Sequence, residues 1–212
     1  MLPRMSHHHG HHHAHDAEAE FNEFYSQRPQ TWSGNPNDAL VAEATGLTPG
    51  RALDVGCGEG ADAVWLARQG WDVTALDPSG VALERARASA EAAGEAVAFV
   101  HGDLVAARLP AASFDLVSCF YVRLPKAPES IPALLELVAP GGLLLVVHHA
   151  EVDRAWAAER GIDLDAFYFP DDIAAALVEG WTIEKREVRP RAIRGGEGAH
   201  LHDDLVLRAR RR

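Results

Sequence analysis

Between residues 50 and 150, short apolar runs alternate with stretches of helical periodicity. The runs Arg51–Gly56, Asp72–Leu76, Ala96–Val100, Phe114–Phe120 and Leu143–His148 read as strands, the last delivered by a turn at Pro140-Gly141-Gly142. They are apolar almost throughout, as strands covered on both faces must be. Ala61–Gln69, Ser79 to about Ala93, and Ile131–Val138 carry helical spacing, with Val64, Trp65 and Leu66 as core candidates in the first. Strands separated by helices predict βαβ units, and so an α/β fold with a parallel sheet and helices on both faces.

The flanks read differently. Phe21, Phe24 and Tyr25 share one side of a short helix over Ala17–Tyr25, and Asn35-Pro36 caps a helix whose apolar face is Leu40, Val41, Ala44 and Leu47. After Ala150 come a weak helical stretch around Trp156, the aromatic group Phe167-Tyr168-Phe169, and a helix from Pro170 through Val178. Trp181–Val188 and Leu201–Ala209 are consecutive strands with no helix between them, which predicts a terminal antiparallel hairpin.

Residues 1–20 hold seven of the twelve histidines and few apolar side chains, which predicts a disordered tail ahead of a domain over residues 21–212. Gly10 and Ala14 interrupt the histidine run, which reads either as a purification tag or as a natural metal-scavenging tail. Either would bind a divalent metal loosely through exposed imidazoles; neither implies a catalytic metal.

Charge and cysteine content narrow the function. A net charge of −11 argues against a general nucleic-acid binder, which needs a basic surface for phosphates. Cys57 and Cys119 are the only cysteines and form no CxxC spacing, so no disulfide framework is expected. No apolar run approaches the roughly 20 residues that cross a bilayer, and no signal-peptide pattern precedes the domain. A cytoplasmic protein without membrane or nucleic-acid partners is expected.

The candidate chemistry gathers where each strand ends, the side on which open parallel sheets bind ligands. Leu53-Asp54-Val55-Gly56-Cys57-Gly58-Glu59-Gly60 is a strand running into a glycine turn, followed by a helix start at Ala61. Bare backbone there admits a ligand. Asp77, seventeen residues beyond Gly60, ends the second strand and is placed to accept from two ribose hydroxyls. Asp103 in Gly102-Asp103-Leu104 could accept from an adenine amine, with Leu104 against the ring. Gly56, Gly58 and Ala61 also satisfy a loose dinucleotide fingerprint. Against that reading, Asp54 would repel a pyrophosphate and suit an ammonium group, and Gly60 makes the turn Gly-x-Gly-x-Gly.

Asp54-Val55-Gly56-Cys57-Gly58-Glu59-Gly60, Asp77-Pro78-Ser79, Gly102-Asp103-Leu104, Phe114-Asp115-Leu116-Val117 and Pro140-Gly141-Gly142 together resemble the ordered motifs of class I S-adenosylmethionine-dependent methyltransferases. Trp32-Ser33-Gly34-Asn35-Pro36 further resembles the small bacterial enzymes of the tellurite-resistance and thiopurine S-methyltransferase type. The resemblance implies a Rossmann-like, seven-stranded, mostly parallel sheet. It also implies a cofactor site at Trp32, Asp54, Gly56, Cys57, Gly58, Asp77, Pro78, Ser79, Gly102, Asp103, Leu104, Cys119 and Phe120, and a small-molecule methyl acceptor such as a thiol or metalloid oxyanion. Asp77→Ala is expected to abolish cofactor binding without unfolding the domain.

Strand direction and the resembled fold together suggest the acceptor side. His148-His149 ends the fifth strand; the resemblance implies an antiparallel last strand inserted beside it, which His200 and His202 would open, on one side because side chains alternate. Tyr121, Arg123, His148 and His200 are therefore candidates for the acceptor, with Arg123 as an anion-binding group, and His149 and His202 for catalysis. Two rival readings stay open: an NAD(P)-dependent oxidoreductase on a related fold, and a metal-handling protein whose histidine tail is its working part.

Overall fold

Both faces of the central strands are apolar, and helices cover both. The computed structural model describes residues 11–151, 154–191 and 202–212. In chain order the elements are α1 (His11–Ser26), α2 (Asp38–Ala44), β1 (Arg51–Val55), α3 (Ala61–Arg68), β2 (Asp72–Asp77), α4 (Gly80–Ala93), β3 (Val97–His101) and β4 (Phe114–Phe120). Then follow the two-residue β5 (Leu124–Pro125), α5 (Ser130–Leu137), β6 (Val138–His149), α6 (Arg154–Glu159), the two-residue β7 (Phe167–Tyr168), α7 (Pro170–Ala176), β8 (Trp181–Pro190) and β9 (Asp203–Arg211).

Seven strands form one sheet in the order β3-β2-β1-β4-β6-β9-β8. β9 runs antiparallel to β6 and β8, while the pairs among β3, β2, β1, β4 and β6 are parallel. This is the Rossmann-like α/β sheet with a terminal hairpin that the motifs imply. Alternation divides the core. Ala52, Leu116, Leu145 and Val147 pack with Leu40 of α2 and Leu66 of α3. Leu53, Val117, Leu144 and Val146 pack with Leu134 and Leu137 of α5 and Ile173 of α7. Each such side chain contributes about 1.5–3 kcal/mol on burial. The chain crosses from β3 at one edge to β4 beside β1, so strand order reverses between β1 and β4, the position at which open sheets bind ligands.

Four expectations need correction. Residues 11–20 belong to α1 and are helical, not a continuation of a disordered tail; the first ten residues lie outside those described. The cap of α2 is Asn37, not Asn35: the Asn37 amide and side-chain Nδ2 each donate to Asp62, at 2.7 Å. Pro140-Gly141-Gly142 lies within β6, because the pairing with β4 jumps from Phe114↔Val138 to Leu116↔Leu143 and the extra residues are absorbed as a bulge. β9 begins at Asp203 rather than Leu201. Among the described residues, no helix is long and apolar enough to cross a membrane.

Candidate active site

The turn after β1 is bolted to the end of β2. The amides of Gly56 and Cys57 both donate to Leu76 O, at 2.7 and 3.0 Å. Gly58 N and Ser79 N then donate to the two carboxylate oxygens of Asp77, each at 2.8 Å. A side chain is excluded twice over: a Cβ on Gly56 would lie 2.5 Å from Val122 Cγ2, and one on Gly58 2.9 Å from the Tyr25 hydroxyl, with φ of +69° and +53°. Asp77 is thus structural as well as available, since each oxygen keeps a further lone pair. Burial raises its pKa despite the two amides. Ser79 caps α4 by accepting from Ala82 N at 3.1 Å, and Pro78 O lies 2.9 Å from His101 Nε2.

Asp54 sits opposite Ser118 in the β1–β4 register, and its Oδ1 lies 3.0 Å from Ser118 Oγ. Its Oδ2 is buried without a hydrogen-bond partner among the described residues. Burial first, then the charge of Asp62, pushes its pKa well up. An unpartnered carboxylate oxygen beside a bare-backbone turn calls for a cation and would repel a pyrophosphate.

The other expected cofactor contacts divide. Gly102 N bonds Asp77 O at 3.1 Å, which ties the third strand end to the second. One oxygen of Asp103 is engaged by its own turn, accepting from Val105 N and Ala106 N at 2.9 and 2.8 Å, while Leu104 packs on the α5 face of the core. Cys119 and Phe120 are buried in opposite core layers, so their side chains serve packing. Burial pushes the Cys119 thiol up to about 12 and that of the partly buried Cys57 well above its ordinary value.

Sequence reasoning missed what covers the turn. α1 lies across the strand ends: Asn22 Oδ1 accepts from Ser79 Oγ at 2.8 Å and Val81 N at 3.2 Å. Arg85 bonds Glu59 at 2.8 Å and the carbonyls of Tyr25 and Arg28 at 2.7 Å, and Glu59 in turn accepts from Thr31 N and Trp32 N. Arg123 belongs to this strap. Its guanidinium holds Glu20 at 2.8 Å and lies 4.5 Å from the Phe21 ring centre, so the cation expected to bind an anionic acceptor is already paired. The one available signal was the Phe21, Phe24, Tyr25 spacing, which marks an apolar helix face without naming the surface it meets.

Tyr121, His148, His149 and Asp204 meet at the carboxyl end of β6. The register pairs His149 with Asp204, and their Nδ1 and Oδ1 atoms are 3.6 Å apart. The Tyr121 hydroxyl donates to Asp204 Oδ2 at 2.7 Å, and its ring lies 4.6 Å from the His149 ring, centre to centre. Tyr121 has φ +55°, a left-handed conformation that costs a non-glycine residue roughly 1–2 kcal/mol. Its amide bond to Val147 O at 2.8 Å holds it there. His148 turns to the other face, 4.8 Å from the Phe169 ring, and burial lowers its pKa to about 4. His202 is exposed just before β9, and His200 lies outside the described residues. Asp204 therefore stands against His149 where His202 was expected.

Comparison with known proteins agrees with this geometry. Residues 52–142 match the family described as methyltransferase domain. An uncharacterized methyltransferase of Mycobacterium tuberculosis is 36% identical over 121 residues, covering 56% of this chain and 60% of that protein. The ubiquinone biosynthesis O-methyltransferase of Pectobacterium carotovorum is 34% identical over 144 residues, covering 66% and 58%. The chain thus spans about three fifths of the length of these relatives. A structure reported for the conversion of a disulfide bond into a thioacetal group during echinomycin biosynthesis superposes with a TM-score of 0.71, at 26% identity and 92% coverage of both chains. TehB from Haemophilus influenzae shares the fold at a TM-score of 0.64 and 17% identity, over 90% of this chain and 67% of its own. So does an S-adenosylmethionine-dependent methyltransferase from Thiobacillus denitrificans in complex with S-adenosylhomocysteine, at 0.58 and 24%, over 80% and 73%. Residues 52–142 thus resemble a methyltransferase domain, and the sheet order and the glycine turn agree with that likeness.

Proposed function

We propose that the protein transfers the methyl group of S-adenosylmethionine to a small-molecule acceptor. The observation that carries this is Asp54: a buried carboxylate with one unpartnered oxygen, beside the Gly56–Gly60 turn and on the same sheet edge as Asp77. The cofactor supplies a methyl group already activated on a sulfonium, so no acid need protonate the leaving thioether. What remains for the chain is orientation. Asp54 would hold the ammonium, Asp77 the ribose hydroxyls, and the backbone of Gly56 and Gly58 the close approach. Tyr25 and Trp32 would exclude water from above.

The acidic net charge supports a small acceptor rather than a nucleic acid. Calorimetry tests the reading: S-adenosylhomocysteine should bind and NADH should not. Release of S-adenosylhomocysteine with a panel of phenols, thiols, selenite, tellurite and small amines should then identify the acceptor. Binding of NADH in place of S-adenosylhomocysteine would favour the oxidoreductase. Metal binding that disappears on removal of residues 1–16, in a chain that transfers no methyl group, would favour the metal-handling reading.

A further inference from the structure

The carboxyl end of β6 holds a set of polar atoms that the fold does not need. His149 Nδ1, Asp204 Oδ1 and His148 Nδ1 are each buried without a hydrogen-bond partner among the described residues. An unsatisfied buried polar atom costs about 1–3 kcal/mol, so three at one strand end are not explained by packing. Two of them face each other: His149 and Asp204 lie on the same face of the sheet at 3.6 Å, beyond hydrogen-bonding distance and within a small side-chain movement of it. Bonds of this kind are often long in unliganded enzymes and tighten when substrate binds. Tyr121 fixes the other oxygen of Asp204 and covers the imidazole, and it holds a strained backbone to do so.

From this arrangement we propose that His149, oriented by Asp204, is the base that removes a proton from the methyl acceptor, and that the acceptor is a neutral protic group, a hydroxyl or a thiol. The inference rests on the methyl-transfer reading above. With Nδ1–H turned to Asp204, Nε2 becomes the proton acceptor. The acceptor's heteroatom gives its electron pair to the methyl carbon, and the carbon–sulfur pair stays on sulfur. The proton goes to His149 Nε2, is stabilised there by the Asp204 carboxylate, and passes to water as product leaves. A metalloid oxyanion fits this end poorly. Arg123, the cation that would have met it, is paired with Glu20, and the Asp204 carboxylate behind His149 disfavours a second anion here. His149 is thus the catalytic residue, and Asp204 and Tyr121 are positioning residues.

The test uses the full chain saturated with S-adenosylhomocysteine and two chromophoric probes, 4-nitrophenol and 4-nitrothiophenol, whose absorbance reports whether the bound molecule is ionised. The groups facing the pair are Tyr121 from the turn after β4, His148 from β6, Arg191 beyond β8, and Asp62 of α3, whose charge reaches Tyr121. In wild type at least one probe should ionise at a pH lower than in water by about one unit, a tenfold shift. Asp204→Asn and His149→Gln should each abolish that shift and leave S-adenosylhomocysteine affinity unchanged. If Asp204→Asn does not fold, His149→Gln decides the matter alone. A shift for the phenol only identifies a hydroxyl acceptor, and a shift for the thiol only identifies a thiol. Failure of both probes to bind, binding without a shift, or a shift that survives His149→Gln would overturn the inference. A wild-type protein that does not bind S-adenosylhomocysteine would overturn the methyl-transfer reading and this inference with it.

Discussion

The indole N–H of Trp32 donates to the Tyr25 hydroxyl at 3.0 Å, and the pair stands over Gly58, close enough that a Cβ there would touch both. Tyr25 is buried while Trp32 is 37% exposed, so the indole is the outer leaf of the cover. Burial first, then the charge of Asp77, raises the Tyr25 pKa and keeps the phenol protonated. A ligand entering against the Gly58 backbone must disturb this pair. Adding S-adenosylhomocysteine is therefore expected to change indole fluorescence. Trp32→Phe should abolish that change and lose only about 1 kcal/mol of stability for one hydrogen bond. An undiminished response in the variant would assign the signal to one of the other four tryptophans.

Asp54→Asn should weaken S-adenosylhomocysteine at least tenfold, about 1.4 kcal/mol, because an amide cannot pair with an ammonium as a carboxylate does. The melting temperature should hold or rise, since the substitution removes a buried charge whose pKa burial and Asp62 already push up. Calorimetry and a thermal melt on one sample check both halves. Full affinity in the variant would remove Asp54 from the site.

Asp77 cannot be treated as a ligand contact alone. It accepts from Gly58 N and Ser79 N, so the expectation that Asp77→Ala would leave the fold untouched is revised. Asp77→Asn leaves one of those buried amides without its acceptor, at about 1–3 kcal/mol. Denaturant melts should show that loss in the absence of ligand, with the fall in affinity measured separately in buffer. Equal stability of variant and wild type would restore the simpler view.

Glu43, nearly fully buried, receives Lys185 at 2.9 Å, Arg189 at 2.6 Å and Arg208 at 2.9 Å, which ties α2 to the terminal hairpin. Burial opposes its ionisation, but hydrogen bonds from Arg189, Lys185 and Arg208 outweigh it and lower its pKa from 4.5 to about 2. A carboxylate depressed on folding contributes stability that is complete above its unfolded value and is lost as pH falls through the folded one. The window therefore opens near pH 4.5 and closes near pH 2, with a magnitude of about 3 kcal/mol. Glu43→Gln should be destabilised at pH 7 by up to about 3 kcal/mol, since Arg189 and Arg208 keep Glu187 and Glu184 as partners. Its deficit against wild type should shrink as the pH falls below 4.5. A deficit constant from pH 7 to pH 3 would mean that the ion set contributes only through packing.

Much of this was written locally. Apolar runs alternating with helical spacing marked nearly every strand and helix of the sheet, and the bulge in β6 was misread because Pro140-Gly141-Gly142 has the composition of a turn. The glycine turn and Asp77 were legible for the same reason: a left-handed backbone and an acidic strand end are properties of a few adjacent residues. Arg123 was misassigned because its partner, Glu20, lies 103 residues away.

The sequence by itself determined the α/β alternation and the strand-end position of the glycine turn and of Asp77, since these depend on periodicity and on neighbours in the chain. Only the tertiary structure decided that α1 covers the turn and that His149 faces Asp204. Period-two alternation tells which face of a strand a side chain takes, but the register is set by pairing with another strand. The pairing of β6 with β9 puts His149 opposite Asp204 and leaves His202 two residues beyond, where the sequence had supplied a histidine of the right parity and no means of choosing between them.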